Sequence, residues 1–492
     1  MYFGILATTV KMSNEGIQQE PTISGEAALP GTETGTRDHL SVDEPHTLSD
    51  LDMVMPNKRI ASFLVYELES HHNVQLVIES LKKGLAEAVG QLPPLAAKIQ
   101  LDRIRRPLRR LKPAALELSV RRFGPREYKS YQDLAKGSFL PGDFNHTLLL
   151  PAEASPDAEE TPACFVQLNV IPGALVLSLS FNHVAMDGGS WHLATSLICK
   201  CSKACMEALP VPGSAFEYNR RLLTASPSRV TLPKATLSAD TINYEIIDTA
   251  SSTNGAPARP NEGVTIKSLT YRIEGSAAKK LKEACRPLNG VAYITTFSCV
   301  VGLLWRSIIS IRAASKPHLL TTRSRFLHSV DLRKRPGQGI PDNYIGNAVA
   351  VASARPVEVA DLLGPDGLSL AASSIRRSIE DTTVDSVANL TALGTMLGPT
   401  ENILLRPSGG LLGANIMLTS WHFMDTGAYD FGTGPPRAVR TLMPPVPGFL
   451  GIFPDCTQQG GGRVYDLFVP LLENEQELLR EDTEVRKWFQ TL

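Results

Sequence analysis

The sequence has almost no net charge and few cysteines, and both facts exclude classes of protein. Among its 492 residues, 49 Lys and Arg are balanced by 50 Asp and Glu, for a formal net charge of −1. This balance excludes an attraction of the whole protein to nucleic acid or anionic lipid. Seven cysteines in so long a chain exclude a disulfide scaffold. Most of them lie in apolar segments, as the reduced thiols of cytosolic proteins do.

The sequence also lacks long apolar runs. No stretch reaches the ~18–20 uncharged apolar residues that a membrane helix needs. Residues 2–10 are apolar but few, and no basic segment precedes them, so the sequence does not predict a secretory signal. We therefore expect a cytoplasmic protein without a membrane span.

Several catalytic motifs are missing as well. The sequence has no Gly-x-Ser-x-Gly elbow, which argues against an α/β-hydrolase, and it has neither a P-loop nor His-Glu-x-x-His. Residues 430–432 read Asp-Phe-Gly, as in protein kinases. A His-Arg-Asp loop and a glycine-rich phosphate loop are absent, however, which argues against a kinase.

What is present is an ordinary globular composition, with 43% hydrophobic and 20% charged residues. The length predicts about two to four domains. Residues 1–40 are rich in Gly, Thr, Glu and Pro, which is typical of a poorly ordered leader. Residues 211–262 are dominated by Pro, Ser, Thr, Asn and Gly, as expected of a crossover linker. This leaves an N-terminal domain over residues 41–210 and a C-terminal domain over residues 263–492.

Strand and helix patterns alternate in both domains. Apolar runs predict strands at residues 60–66, 115–120, 164–170, 175–181, 264–273, 328–332, 416–421, 449–453 and 464–471. Apolar residues at helical spacing predict helices at residues 74–92, 191–209, 276–285, 293–311, 384–397 and 473–489. Ser190 is the expected cap of the second helix. These patterns indicate an α/β fold.

The segment HVAMDGG at residues 183–189 is the sharpest candidate for chemistry. A long apolar strand runs into His183, and a glycine-rich turn follows, so the imidazole is expected on a loop at a strand end. Histidine is the natural general base at neutral pH. Asp187 could orient this loop through a salt bridge, and Gly188 and Gly189 permit a tight turn. From these residues alone, a buried structural histidine is an equally good interpretation.

Two further motifs lie near the C-terminus, LTSW at residues 418–421 and YDFGTGP at residues 429–435. Together with HVAMDGG, they resemble the fungal and plant BAHD acyltransferases, including the trichothecene 3-O-acetyltransferase branch. That family carries His-x-x-x-Asp-Gly near the middle and Asp-Phe-Gly-Trp-Gly near the C-terminus. Weaker similarities extend the match over about residues 45–490, and they lie at residues 48–52, 92–99, 303–306, 330–333 and 344–347.

The resemblance implies two chloramphenicol-acetyltransferase-like α/β domains with mixed sheets and helices, and an active-site channel between them. It implies that His183 is the general base, which takes a proton from an acceptor hydroxyl or amine as the acceptor attacks the thioester of acyl-CoA. Transfer is then direct, and acyl-CoA is a co-substrate rather than a permanently bound cofactor. A positioned base contributes roughly 10²–10⁴-fold to such a rate.

By the same resemblance, Trp421 is the candidate oxyanion donor through its indole N–H. The alternative for this residue is a core aromatic. Thr419, Ser420 and Gly189 are the candidates for residues that line the substrate and CoA channel. The expected partners are acyl-CoA and a lipophilic, hydroxylated small molecule.

The resemblance implies a structural role for the remaining motif residues. Asp187, beside Gly188, pairs with Arg333 and faces away from substrate. The Asp-Phe-Gly motif shapes the domain and the CoA channel through Asp430, Phe431, Gly432 and Gly434. Two positions differ from related patterns. Thr433 stands where the family has tryptophan, and Asn182 stands where peptide-synthetase condensation domains have a second histidine.

Two other features have simpler interpretations. Cys199, Cys201 and Cys205 lie on one predicted helix near His192, but zinc ligands usually converge from two elements. Core cysteines are therefore favoured, and no metal site is predicted. The basic run at residues 103–112 has no interleaved aromatics, so a solvated surface is favoured over nucleic-acid binding. Contact with the phosphates of CoA is the alternative for this run.

The sequence thus predicts a monomeric, CoA-dependent O-acyltransferase of fungal secondary metabolism. Acetyl-CoA is the expected donor, and a hydroxyl of a terpenoid, polyketide or alkaloid is the expected acceptor. Two alternatives remain. The same channel could serve a CoA-independent cyclisation or release of a polyketide intermediate, since fold does not determine reaction. The protein could also be a non-catalytic binding member.

Overall fold

The computed structural model describes most of the chain from residue 46 onward. The described residues are 46–56, 58–102, 108–114, 116–151, 160–224, 244–248, 265–333, 335–396, 401–405, 410–457 and 462–492. The predicted leader lies outside them. Much of the predicted linker and the first half of the basic run lie outside them too.

All nine strands that the apolar runs predict are present, and the other described strands, most of them short, were not predicted. Numbered along the chain, the described strands are β1 His46–Thr47, β2 Arg59–Glu67, β3 Ala97–Asp102, β4 Leu108–Pro113, β5 Leu118–Arg122, β6 Glu160–Pro162, β7 Cys164–Ile171, β8 Ala174–Asn182, β9 Tyr244–Asp248, β10 Ile266–Ile273, β11 Arg323–Ser324, β12 Phe326–Asp331, β13 Val349–Ser353, β14 Val357–Glu358, β15 Glu401–Leu405, β16 Ile416–Ser420, β17 Ala438–Thr441, β18 Phe449–Ile452, β19 Tyr465–Leu472 and β20 Gln490–Thr491.

The helices alternate with these strands, which confirms the predicted α/β fold class. They are α1 Asp50–Met53, α2 Val74–Gln91, α3 Tyr131–Lys136, α4 His146–Leu149, α5 Gly188–Met206, α6 Gly275–Glu283, α7 Thr296–Ser315, α8 Val359–Leu363, α9 Gly367–Glu380, α10 Val384–Met396, α11 Glu473–Glu481 and α12 Thr483–Trp488.

Five strands form the sheet of the first half, in the order β17-β2-β8-β7-β5. The β7–β8 hairpin turns at Gly173, whose φ of +76° lies in the left-handed region that glycine adopts without strain. Every residue of β8 is buried, because one face of the sheet packs on α2 and α5 and the other on α3 and α4. The strand ends at Asn182, so His183 directly follows the central, fully buried strand of the sheet.

Seven strands form the sheet of the second half, in the order β13-β12-β16-β18-β19-β10-β20. β12, β16 and β18 are mutually parallel neighbours, so their carboxyl ends meet at one edge. Helix α7 is buried against this sheet in a single apolar cluster with α6, α9 and α11. The edge where the three parallel strands end is where Trp421 follows β16.

The division of the sheets does not follow the division of the sequence. β17 comes from the second half of the chain, yet it pairs antiparallel with β2 of the first sheet, with Val439 opposite Leu64. The pairing covers the edge of β2, which would otherwise expose unpaired backbone groups. The Tyr66 hydroxyl of β2 also donates to the carbonyl of Tyr429, at 2.7 Å. The two halves are therefore interlocked.

Two helical regions of the structure differ from the prediction. The predicted helix at residues 473–489 is two helices, because Asp482 takes an extended backbone and its carboxylate caps α12 by accepting from the Val485 N–H. Helix α9 was not predicted, since it presents small residues at its packed face. There Ala371 and Ala372 lie against Gly302 of α7, an approach that only small residues permit.

Helix α7, Thr296–Ser315, is long and apolar enough to cross a membrane by length and composition. Within the protein, 78% of its apolar window is buried. It also carries the fully buried Arg312, which forms an ion pair with Glu475 of α11 at 3.1 Å. These are the features of a core helix of the second half.

Candidate active site

His183 lies at the point where β8 ends, half-buried, with its backbone N–H donating to the carbonyl of Lys58 at 2.8 Å. The side chain of Asn182 accepts from the backbone N–H of Val184 at 3.0 Å and fixes the turn that follows. Hydrogen bonds at His183 and at Val184 therefore hold the backbone of this catalytic candidate in place at the rigid end of β8.

The amide of Asn347 determines which nitrogen of His183 carries the proton. Its Nδ2 donates to the Asp52 carboxylate and to the carbonyl of His183, both at 2.8 Å. Both of these partners can only accept, so Oδ1 must be the atom that faces the imidazole, 3.2 Å from Nδ1 of His183. Nδ1 is therefore the donor, and in the neutral ring the lone pair is on Nε2.

Asp52, fully buried, anchors this amide. Its carboxylate accepts from both the backbone N–H and the side chain of Asn347, and from Nη1 of Arg220 at 3.0 Å. It also caps α1 together with Ser49 in a reciprocal capping box. Arg220 in turn donates to the carbonyl of Ala185, in the loop after the histidine.

Sequence reasoning assigned no role to these three residues. Asp52 and Asn347 fall within stretches that carry the family resemblance, residues 48–52 and 344–347, and that was their only signal. Arg220 falls in the predicted linker and had none. It is nevertheless buried, so the described beginning of that segment is part of the site's support.

Asp187 and Arg333 form a buried, two-pronged ion pair behind the loop. The distances are 3.0 Å from Nη1 and 2.9 Å from Nη2, and both side chains are 3% exposed. Burial acts to raise the pKa of Asp187, but the charge and hydrogen bonds of Arg333 outweigh it and lower that pKa. The carboxylate also accepts from the Ala348 N–H at 2.8 Å. It therefore serves the loop's structure.

Ser190 is not the cap of α5, as the sequence analysis expected. The cap is Asp187, whose carboxylate accepts from the Ser190 N–H at 2.8 Å. The Ser190 hydroxyl instead donates to the carbonyl of Gly346 at 2.7 Å. Because Asp187 is the cap, α5 begins at Gly188, three residues earlier than predicted. The same carboxylate forms the ion pair with Arg333.

The two glycines after Asp187 have different neighbours. A Cβ on Gly189 would lie 2.7 Å from Nη1 of Arg333, which the ion pair holds in place. A Cβ on Gly188 would lie 3.6 Å from Met424 and 3.9 Å from Trp421, which is ordinary contact. Gly189 therefore stands against the buried arginine, and Gly188 stands against the tryptophan.

Trp421 follows β16 and packs on the beginning of α5. Its ring is edge-on to Trp191, with centroids 5.3 Å apart, and its backbone N–H donates to Ile452 at 2.9 Å. The residue is 6% exposed, and its indole N–H has no hydrogen-bond partner among the described residues. It combines a core position with a free donor beside the loop of His183.

Thr419 and Ser420 precede Trp421 on β16, and both are half-buried. The Ser420 hydroxyl shares a short hydrogen bond with Nδ1 of His422. That imidazole stacks on Phe297, with ring centroids 5.1 Å apart. Burial lowers the pKa of His422 to about 4, so this second histidine is neutral near pH 7.

The loop at residues 430–434 packs against the far end of α5. The Asp430 carboxylate accepts from the N–H groups of Gly432 and Gly434 at 2.8 and 2.9 Å, and from Lys203 at 2.6 Å. Both glycines have positive φ, and a Cβ on Gly432 would strike the Met206 sulfur. Phe431 is buried edge-on against Tyr66. These contacts join the second half of the chain to α5.

Two of the three cysteines predicted to be core thiols on α5 are buried, and the third, Cys205, is half-buried. Cys199 and Cys201 are fully buried within the apolar cluster of the first half. Burial raises the pKa of Cys201 to about 11. Within the described residues, no group of His, Cys, Asp and Glu is arranged to hold a metal ion.

Comparison with known proteins identifies the family. A model of the Transferase family, which describes the BAHD acyltransferases, matches residues 125–485, well over half of the chain. The chain belongs to the BAHD acyltransferase family. It is accordingly an acyltransferase that uses acyl-CoA.

Individual relatives of this BAHD acyltransferase are distant. It is 25% identical over 381 residues to acyltransferase easC of Emericella nidulans, a match that covers 70% of this chain and 75% of that protein. It is 28% identical over 296 residues to a trichothecene 3-O-acetyltransferase of Saccharomyces cerevisiae, covering 58% of each.

Solved structures of similar proteins have the same fold. F. graminearum TRI101 in complex with coenzyme A and T-2 mycotoxin has a TM-score of 0.76 at 18% identity, covering 91% of this chain and 99% of that chain. Vinorine synthase has a TM-score of 0.60 at 17% identity, covering 94% and 96%. At such identities the likeness confirms the predicted two-domain α/β fold.

Proposed function

We propose that this BAHD acyltransferase moves an acetyl group from acetyl-CoA to a hydroxyl of a lipophilic secondary metabolite, such as a terpenoid, polyketide or alkaloid. The names of its relatives support this class. They include the trichothecene 3-O-acetyltransferase of S. cerevisiae and the O-acetyltransferase cpsE of Aspergillus campestris, to which the chain is 24% identical over 363 residues.

The observation that supports His183 as the base is its hydrogen bond from Nδ1 to Asn347. Because this bond keeps the proton on Nδ1, Nε2 has a lone pair for the proton of the acceptor hydroxyl. In the proposed reaction the hydroxyl oxygen attacks the thioester carbonyl as Nε2 takes the proton. The carbon–sulfur bond then breaks, and the imidazolium returns the proton to the CoA thiolate.

Trp421 is the proposed donor to the oxyanion of the tetrahedral intermediate. The support is its free indole N–H and its position against Gly188, five residues after His183. A neutral donor placed where negative charge develops stabilises the transition state more than the ground state. No serine or cysteine nucleophile is required, because a thioester is already activated.

The test is acceptor-dependent release of free CoA thiol from acetyl-CoA. The purified protein would be incubated with a pool of hydroxylated metabolites, alongside His183→Ala and, as a matched control, His318→Ala in the exposed segment Pro317–Thr321. We expect release with the wild type and His318→Ala only, and a product heavier than its acceptor by one acetyl group.

Two results would contradict this proposal. Equal release by His183→Ala would remove the histidine from the reaction. Absence of both acetyl-CoA binding and CoA release with every hydroxylated compound, together with cyclisation or release of a polyketide thioester, would favour the CoA-independent alternative.

A further inference from the structure

A cavity of about 210 Å³ lies between the two halves of the protein, apart from the candidate active site. Ala135 of α3 and the nearby Ser138 line it from the first half. Arg272 of β10 and Asp466 of β19 line it from the second half. β10 lies four strands from β12, the strand that leads to Arg333, which is about 19 Å at the usual strand spacing. The cavity is therefore a second candidate site.

The volume of this cavity fits a small metabolite. A cavity of about 150 Å³ is enough to hold benzene, so one of 210 Å³ holds about eight non-hydrogen atoms at the same packing. Pockets for drug-sized ligands have about 300–1,000 Å³, and coenzyme A is larger than most such ligands. The cavity is therefore too small for acyl-CoA, and its ligand is a different molecule.

Arginine dominates the charge of the cavity lining. Three arginines, Arg272, Arg437 and Arg440, are set against two aspartates, Asp455 and Asp466. Arg272 contacts the Asp466 carboxylate at 2.7 and 2.8 Å, and Arg440 contacts it at 3.0 Å. Burial acts to raise the pKa of Asp466, but the hydrogen bonds of Arg272 and the charge of Arg440 outweigh it and lower that pKa. Because one ionised carboxylate is shared by two arginines, the lining has one net positive charge.

Some of the arginine N–H groups have no protein acceptor. Among the described residues, Nη1 of Arg272 has no hydrogen-bond partner, and the Arg437 guanidinium binds only Glu67, through Nη2 at 2.9 Å. Arg437 and Glu67 are 56% and 37% exposed, and a pair so exposed contributes little to stability. The thiol of Cys456, also in the lining, stays neutral at pH 7 because burial raises its pKa to about 11. The unused N–H groups are therefore available to an anionic ligand.

The wall formed by Ser138 and Phe139 is held in a strained conformation. Their φ angles are +57° and +53°, in the left-handed region. Helices often end on one such residue, but glycine is the usual one. Both carbonyls accept from Arg440, at 3.3 and 2.8 Å, and the Arg440 guanidinium also lies over the ring of Phe453. Backbone strain held by its surroundings is concentrated at active sites and ligand-binding sites.

We propose that this cavity binds a small anionic metabolite with a carboxylate or phosphate group, held by Arg272 and Arg437. Guanidinium groups bind such oxygens through charge-assisted, often paired hydrogen bonds. The anion replaces Glu67 as the acceptor for Arg437. Because Arg272 belongs to the second sheet and Arg437 precedes β17 of the first, the bound anion joins the two halves and stabilises the folded protein.

The test is calorimetric titration of the intact protein with succinate and with inorganic phosphate, which distinguishes carboxylate from phosphate recognition. We expect at least one of these anions to bind and to raise the melting temperature, and the uncharged analogue succinamide to do neither. Arg437→Gln should weaken anion binding by about 10-fold or more. Ala135→Leu, which fills the cavity without changing its charge, should abolish binding. Arg323→Gln is the matched control, because Arg323 forms a similarly exposed pair with Glu358.

Four results would overturn this site, and none of them bears on acyl transfer. They are failure of both anions to bind at millimolar concentration, equal binding of succinamide, wild-type affinity in Arg437→Gln or Ala135→Leu, and displacement of the anion by saturating CoA. The last result would assign the anion to the CoA site instead. Thermal melts without ligand establish that each variant is folded. Arg437→Gln, at an exposed residue, carries the test if Ala135→Leu is not folded.

Discussion

The side-chain oxygen of Asn347 lies 3.2 Å from Nδ1 of His183 and accepts its proton. The two residues are 164 positions apart, one in each half of the chain. The amide nitrogen of Asn347 is bound to Asp52, which orients the amide. The interface between the halves therefore selects the tautomer in which Nε2 of His183 is free to act as a base.

Asn347→Ala is expected to lower kcat roughly 10–100-fold, less than loss of the base itself. Without the amide, the imidazole is free to rotate and to place its proton on Nε2. We expect KM for acetyl-CoA to change little and the pH–rate profile to shift, both measured with the acceptor found by CoA release. The control is Asn343→Ala, whose amide donates to the carbonyl of Ala215. An unchanged pH–rate profile would mean that Asn347 contributes only packing and does not set the tautomer of His183.

Trp421→Phe keeps an aromatic ring and removes one N–H donor. If this N–H binds the oxyanion, kcat should fall about 10²–10³-fold. Trp191→Phe is the matched variant, because Trp191 contacts the same ring and its buried indole N–H is also unpaired among the described residues. It should leave kcat near the wild-type value. Equal effects of the two substitutions would contradict the oxyanion role.

Arg333→Gln breaks the buried ion pair and leaves the Asp187 carboxylate without its partner. The expected loss of unfolding free energy is about 3–5 kcal/mol, measured by urea denaturation. Arg286→Gln breaks a pair with Asp366 whose side chains are 66% and 62% exposed. That change should cost under about 1 kcal/mol, because solvent screens exposed pairs. Similar losses in both variants would contradict a structural role for the buried pair.

Gly189→Ala and Gly188→Ala differ by one position and should differ in effect. The first places a Cβ 2.7 Å from the fixed Arg333 guanidinium, and the second meets nothing closer than 3.6 Å. We expect Gly189→Ala to cost about 1–3 kcal/mol of stability, measured by thermal melts, and Gly188→Ala to cost much less. The reverse order would mean that the arginine moves aside.

His328 predicts how stability depends on pH. It is 2% exposed, and burial lowers its pKa from 6.5 to about 4. Between these values the unfolded chain binds a proton that the folded chain does not, so stability falls as pH drops from about 6.5 to about 4. The total is about 3 kcal/mol at 1.36 kcal/mol per pKa unit. His422, whose pKa burial also lowers to about 4, contributes a similar slope. His328→Gln, which can still bond Ser378, should therefore reduce the slope by about half in denaturation measured at several pH values, and exposed His318→Gln should not change it.

Local features of the sequence predicted local structure well. The apolar run before His183 predicted β8, and the spacing of residues 293–311 predicted α7 to within a few residues. The cap of α5 was missed, because serine and aspartate cap equally well by propensity. Only the position of Arg333 makes Asp187 the better partner. Helix α9 was missed because its buried face is made mostly of Gly, Ala and Ser, whereas the other helices were predicted from large apolar residues.

By itself, the sequence determined the alternation of strands and helices, the loop that carries His183 and the family of the enzyme, because periodicity and motifs are properties of neighbouring residues. Only the tertiary structure decided how that histidine is held. Asp52, Arg220 and Asn347 come from three distant segments, and β17 crosses between the two sheets. Burial of charged and amide groups forces each to find a partner, and those partners are near in space but far apart in the chain.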